Sequence, residues 1–256
     1  MSELHKTMSN LVPKPEAWGK FSLPSPETYF LLIEFVDMRI RLPDPANFCS
    51  RIAELHRVSK SPTGKFGFHV PTFQGKYQQP VKWDSNWASL WSKLLTDILR
   101  RDLELNGPWV ELEEVSDRTL SHVVPRLLGV LQSEGRTLKP CLIHADLWDG
   151  NIGIDNTTSN TYIFDSGAYY AHNEEELGMW RCERHEITSG LYKEIYTQQY
   201  PPSEPARDWD DRNRLYSVKF NMFHSAHHKG QNSRILAYND MRYLVDKYAP
   251  FSTQEK

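Results

Sequence analysis

Asp146, Asn151 and Asp165 are the side chains whose types and spacing could do chemistry together. Asp146 and Asn151 lie in Ile143-His-Ala-Asp-Leu-Trp-Asp-Gly-Asn151, and a second apolar run leads to Ile163-Phe-Asp-Ser-Gly167. The pattern is H-x-D-L-x-x-x-N and then D-x-G at a strand end, which fits phosphoryl transfer. That reaction asks the protein mainly to position groups and stabilise charge. One carboxylate must accept or orient the proton of an acceptor hydroxyl, and Asp146 is placed for it. Mg²⁺ bridging the phosphates of ATP wants hard oxygen ligands, which Asp165 (anionic) and Asn151 (neutral) supply. Gly167 lets the backbone turn just past the metal. A lone H-x-D would mean little. Reading Asp146 and Asp149 as turn residues, His144 as a core histidine and Asp165 as a strand-end cap requires these features to coincide by chance.

The elements that hold these residues are strands over Cys141–His144, Asn151–Ile154 and Tyr162–Asp165, with helices on either side. Tyr29–Val36 reads as an inner strand. Asp37–Pro45 reads as a linker, and Ser22–Thr28, with two prolines, as a turn. Phe48, Ile52, Leu55 and Val58 recur at helical spacing, so a helix is expected from Ala46 to about Val58. Residues 59–82 form a long irregular stretch whose aromatics, Phe66, Phe68, Phe73 and Tyr77, argue for order. Asp84 reads as the cap of a helix carrying the stripe Trp87, Leu90, Trp91, Leu94, Leu95, Ile98 and Leu99. A further helix is expected over Ser116–Leu131, and the last third is helical.

Three other residues are candidates for substrate contact, each with a structural alternative. Trp148 either packs on a sugar or line the acceptor mouth, or it fills core. Trp87 shares a helical face with Trp83 and reads first as core stripe, second as acceptor wall. His172 opens a helix start with acidic followers, and substrate contact is the lesser reading. His224, His227 and His228 form an HxxHH cluster without a further metal ligand and read as packing or surface residues.

Composition narrows the setting. Charged residues are 25% and hydrophobic ones 39% of the 256, a globular balance. A net charge of −3 gives no general attraction to nucleic acid or anionic membrane. Three scattered cysteines without a CxxC pair predict a reduced, cytoplasmic protein, and no signal-peptide core or membrane-spanning run is expected.

With these residues in view, the chain resembles the fructosamine (ketosamine)-3-kinases, which include the protein-ribulosamine 3-kinases. The resemblance rests on Val12-Pro-Lys-Pro15, Ile33-Glu-Phe-Val-Asp-Met38, Ala53-Glu-Leu-His-Arg57, Lys65-Phe-Gly-Phe-His69, Trp83-Asp-x-x-Trp87, His144-Ala-Asp-Leu-Trp148 with Gly150-Asn151, Ile163-Phe-Asp165 and Tyr170-Ala-His-Asn-Glu174. It implies an α+β protein-kinase-like fold, with a mostly helical C-lobe over 38–256 and a truncated N-lobe of about two strands over 1–37. It also implies transfer of the ATP γ-phosphate to the 3-hydroxyl of a ketosamine, free or on a glycated protein, as a deglycation step. Asp146 would be the base, Asn151 and Asp165 the Mg²⁺ ligands, and Glu34, Phe35 and Val36 the adenine-binding hinge. Ala145 stands where the family usually has Gly, and Ser166-Gly167 where Pro-Ala is common. No glycine-rich loop or phosphate-binding lysine precedes the hinge, so weak Mg-ATP binding and slow turnover, or none, are expected of this chain alone. Two rival functions are a non-catalytic ketosamine-binding module and an aminoglycoside- or choline-type phosphotransferase; an incomplete gene product is a third possibility.

Overall fold

The computed structural model describes residues 1–22 and 25–251. After a short helix α1 (Ser2–Thr7) come β1 (Pro15–Lys20) and β2 (Tyr29–Ile33), an antiparallel ribbon that pairs Trp18 with Leu31. The proline-bearing turn expected at Ser22–Thr28 falls partly on residues 23 and 24, outside the described residues. β2 is not an inner strand. It ends at Ile33, and Trp18 (79% exposed), Leu31 (50%) and, just beyond, Phe35 (87%) stand in solvent. Apolar residues alone do not bury a strand; neighbours must cover it, and among the described residues β1 and β2 pair only with each other.

The segment read as a linker carries β3 (Met38–Ile40), which pairs with β7 below. α2 (Pro45–Val58) follows, with the Asp44 carboxylate accepting from the Asn47 amide at 2.9 Å and Pro45 at the first helical position. Residues 59–82 are ordered, as their aromatics suggested. Phe66 is buried, backbone bridges tie it to Asp84 and Gly67 to Tyr170, and β4 (Phe73–Gln74) and β5 (Tyr77–Gln78) make a small hairpin. Phe73 itself is exposed.

The stripe from Trp87 to Leu99 lies buried along α3 (Trp87–Asn106). Its cap is Asn86, not Asp84, because the Asn86 side chain accepts from the Ser89 amide at 2.8 Å. Asp84 instead takes the Asn86 amide (2.9 Å) and the Lys93 ammonium (2.6 Å). The next helix starts earlier than expected, as α4 (Val110–Arg118), passes through a π turn at Thr119–Val123 and ends in α5 (Val124–Leu127). Pro125 sits in the first turn of α5, where its missing amide is tolerated, and the regular helical ladder gives way to the π turn just before it.

β6 (Cys141–Ile143), β7 (Ile152–Asp155), β8 (Thr161–Ile163) and β9 (Tyr169–Ala171) build the centre. β3, β7 and β8 form one antiparallel sheet, and β6 pairs with β9. The 144–151 loop therefore leaves β6 and enters β7, while Asp165 sits between β8 and β9. Strand alternation sends Ile143 and Tyr169 into one core, with α3, α8 (Trp209–His227) and α9 (Ser233–Tyr248), and Leu142 and Tyr170 into another. The second core packs α2 with α6 (Glu176–Met179) and α7 (Gly190–Gln199). No helix among the described residues is long and apolar enough to cross a membrane.

Candidate active site

The β6–β7 loop is held by its own side chains. His144, fully buried, donates from Nε2 to the Phe164 carbonyl (2.8 Å) and accepts the Asp146 amide on Nδ1 (3.3 Å). Burial pushes its pKa down, which suits the neutral ring these bonds require. Ala145 adopts φ +66°, a conformation in which a Cβ is strained.

That strained turn has a support not legible in the motif. The buried Glu176 carboxylate, at the start of α6, accepts the His144 amide at 2.6 Å and the Ala145 amide at 3.0 Å. Burial would push this carboxyl up, but His56, 3.6 Å away, with His144 and its backbone amide, hold it below the usual range. Glu176→Gln keeps the shape but turns an NH₂ toward one of these amides. We expect a loss of about 1–3 kcal/mol in urea unfolding at neutral pH. A lowered carboxyl stabilises above its unfolded titration and loses that effect in acid, so the difference should shrink as pH falls. Equal stability at pH 7 would show that the carboxylate does not carry the turn.

Asn151, nearly buried, joins the acidic residues. Its Nδ2 donates to the Asp146 carbonyl (2.8 Å), lies 3.3 Å from Asp146 Oδ2 and is 3.4 Å from the Asp165 carbonyl. The amide nitrogen is thus spent on protein, which leaves its oxygen for a cation. Asp165 is exposed at φ +57°, a region that Asp tolerates, and no hydrogen bond among the described residues engages its carboxylate. Burial raises the Asp146 carboxyl from 3.8 to about 6; Asp165 adds to this, and donors from Gln74 and Asn151 oppose it. No group of three or more His, Cys, Asp or Glu that could hold a metal is found among the described residues. One carboxylate and one amide oxygen fit Mg²⁺ that takes its other ligands from phosphates and water.

Gly167 has a different role from the one expected. The positive φ falls at Asp165, while a Cβ on Gly167 would come within 2.7 Å of the Phe73 carbonyl, so glycine admits the β4–β5 hairpin. The Trp148 ring is partly exposed and lies 5.2 Å from the His185 ring, beside Asp149, which accepts the Glu186 amide at 2.9 Å.

Two substrate candidates must be withdrawn. Trp87 is fully buried in the α3–α8 core, its Nε1 donating to Tyr216 Oη at 2.8 Å. His172 is equally buried between Tyr216 Oη (2.8 Å) and Ser203 Oγ (2.9 Å), with its pKa driven down to about 4 by burial. Neither offers a surface to a ligand. The 224–228 histidines pack as expected: His224 meets Ser233 Oγ at 2.9 Å, and His227 accepts the Lys76 amide at 3.2 Å.

Comparison with known proteins places the fold and the family. A solved Thermobifida fusca YX-ER1 structure, by its own description a candidate fructosamine-3-kinase, matches with TM-score 0.71 at 20% identity over 95% of this chain and 76% of that one. A thermostable mutant of aminoglycoside phosphotransferase APH(4)-Ia, solved with AMP-PNP and hygromycin B, matches with TM-score 0.60 at 14% identity over 95% and 80%. The fold is thus that of the protein-kinase-like phosphotransferases, built from helices and few strands. The fructosamine kinase family model matches residues 1–245, and the chain belongs to that family. The chloroplastic protein-ribulosamine 3-kinase of Oryza sativa subsp. japonica is 29% identical over 93% of this chain and 66% of its own length. This chain therefore spans just under two thirds of that relative.

Proposed function

We propose that the chain transfers the γ-phosphoryl group of ATP to the 3-hydroxyl of a ketosamine, free or attached to a glycated protein. The hydroxyl oxygen bonds to phosphorus, the bridging bond to ADP breaks, and Asp146 takes the hydroxyl proton. Asn151 and Asp165 hold Mg²⁺, which when bound neutralises phosphate charge. On this reading residues 1–37 carry the hinge, where Glu34, Phe35 and Val36 meet adenine, and 38–256 form the catalytic lobe. Trp148 stands beside the acceptor as a partly exposed ring. The observation that carries the proposal is the Asn151 side chain, which ties Asp146 to Asp165 while leaving its own oxygen open.

The test combines calorimetric Mg-ATP titration with phosphorylation of synthetic ribulosyl-lysine and fructosyl-lysine. Asp165→Ala should weaken nucleotide binding about tenfold in Mg²⁺ and little in EDTA, since a charged ligand is removed from the metal alone. Nucleotide binding that ignores Mg²⁺ in the wild type, or no phosphate on either ketosamine, would sink the proposal.

A further inference from the structure

The β4–β5 hairpin contributes a residue to the site that no motif marked. Gln74, only 3% exposed, directs Nε2 to within 3.3 Å of Asp146 Oδ1. Asn151 Nδ2 stands at the same distance from the other oxygen, Oδ2. Both oxygens of the carboxylate therefore face an amide donor, and its rotation about the Cβ–Cγ bond is fixed from two sides. Each oxygen still has a lone pair for an acceptor hydroxyl.

A side chain on a hairpin could equally be a gate that swings away, but the anchoring of this hairpin argues for a fixed position. At its tip the Lys76 amide donates to His227 Nε2 (3.2 Å) and Tyr77 Oη to the Ala226 carbonyl (3.0 Å). The Arg101 guanidinium covers the Tyr77 ring at 4.6 Å. Gly75 has φ +52°, and a Cβ there would meet His227 Nε2 at 2.7 Å, so the tip lies hard against α8. At its base the Gln79 amide donates to the Thr72 carbonyl (2.8 Å), and Gln79 Nε2 donates to the Gly167 carbonyl (2.9 Å). The hairpin is pinned to α8 at one end and to the segment after Asp165 at the other.

We infer that Gln74 is a positioning residue for the phosphoryl-transfer step, clamping the Asp146 carboxylate together with Asn151 so that one oxygen meets the acceptor hydroxyl in line with the phosphate. The inference rests on the reading of Asp146 as the residue that receives the hydroxyl proton. A clamp acts on the geometry of reaction rather than on nucleotide affinity, so its loss should fall on kcat and spare KM for Mg-ATP.

The experiment uses the full chain with ribulosyl-lysine as acceptor and three variants, Gln74→Leu, Gln74→Glu and Asp146→Asn. Gln74→Leu should lower kcat about tenfold with KM for Mg-ATP unchanged, as expected for losing one hydrogen bond to a charged group. Gln74→Glu keeps the shape but sets a second carboxylate against Asp146, so it should be the slower of the two. A hairpin that only needed a side chain of this shape would show the reverse order, with Gln74→Glu near wild type, and that would overturn the inference. Thermal melting of both variants checks that the fold survives. As a readout independent of turnover, the Gln74 side-chain NH₂ signal in ¹⁵N NMR, identified by its loss in Gln74→Leu, should shift in Asp146→Asn. An unmoved signal would overturn the contact itself. If Asp146→Asn is inactive while both Gln74 variants match wild type, the inference fails alone. If Asp146→Asn matches wild type, or the wild type shows no ketosamine turnover, the underlying reading fails with it.

Discussion

Asp146→Asn should abolish ketosamine phosphorylation and, at neutral pH, make the protein harder to unfold. The first half follows from chemistry. The side chain that takes the hydroxyl proton is replaced by one that cannot, and such losses cost about a hundredfold or more. The second half follows from where the carboxylate sits. Its pKa rises from 3.8 to about 6 mainly because burial disfavours the charge, with Asp165 nearby adding repulsion. A carboxyl raised on folding makes the folded state bind protons that the unfolded state has released. Stability then falls as pH rises from about 4 through 6, and the full cost is present at pH 7. Removing the charge should return up to about 3 kcal/mol at pH 7, less a part lost where the new NH₂ faces the Gln74 or Asn151 donor, and almost nothing below pH 4. Urea titrations of wild type and variant at pH 4, 6 and 8 check it. Parallel curves at all three would mean that burial of this carboxylate is not costly, and retained turnover would remove Asp146 from its role.

Arg212→Met should be the most destabilising single change. Arg212 is fully buried, and its Nε and Nη2 grip both oxygens of the buried Glu174 at 2.7 and 3.0 Å. The same guanidinium donates to the Pro205 carbonyl (2.9 Å) and the Ser203 carbonyl (2.7 Å). Methionine fills much of the volume but leaves a buried carboxylate without its counter-charge, held among the described residues only by the Ser203 amide at 2.8 Å, and takes the Arg212 donor away from two carbonyls. Breaking one side of such a pair costs about 3–5 kcal/mol, while replacing both sides with apolar groups can be nearly neutral. Arg212→Met should therefore lower the melting temperature by about 10 °C or more, and adding Glu174→Leu should restore a good part of it. A double variant no better than the single one would show that the carbonyl contacts, not the uncompensated charge, dominate.

These residues also show where sequence reasoning stopped. The side chains proposed to do the chemistry could be singled out because Asp146, Asn151 and Asp165 sit at fixed spacing on strand ends, and spacing is local. The stripe of α3 was legible for the same reason. Gln74, Glu176 and Arg212 act across contacts that only the folded chain creates, and Gln74 meets Asp146 from 72 positions away. A glutamine in an irregular loop and the third of three glutamates carry no signal that such a partner exists. For Trp87 and His172 residue type kept a second reading as substrate contacts open, and burial leaves only the structural reading that stood first for each. β2 was misplaced for the opposite reason, since its apolar composition promised a cover that the described residues do not provide. Asp84 lost the cap to Asn86 because both fit the pattern, and only geometry separates two cap-forming residues so close together.

The grip of Glu176 on two successive loop amides has a consequence for hydrogen exchange. Catalytic loops are commonly among the first backbone segments to trade protons with water. Here the amides of His144 and Ala145 are buried and bonded to a side chain that is itself fully enclosed by the second core. They can open to solvent only if that core opens, so their protection should approach the global unfolding free energy. The amides of the exposed β1–β2 ribbon should exchange through local fraying. The loop expected to carry the chemistry would then be among the slowest-exchanging parts of the molecule.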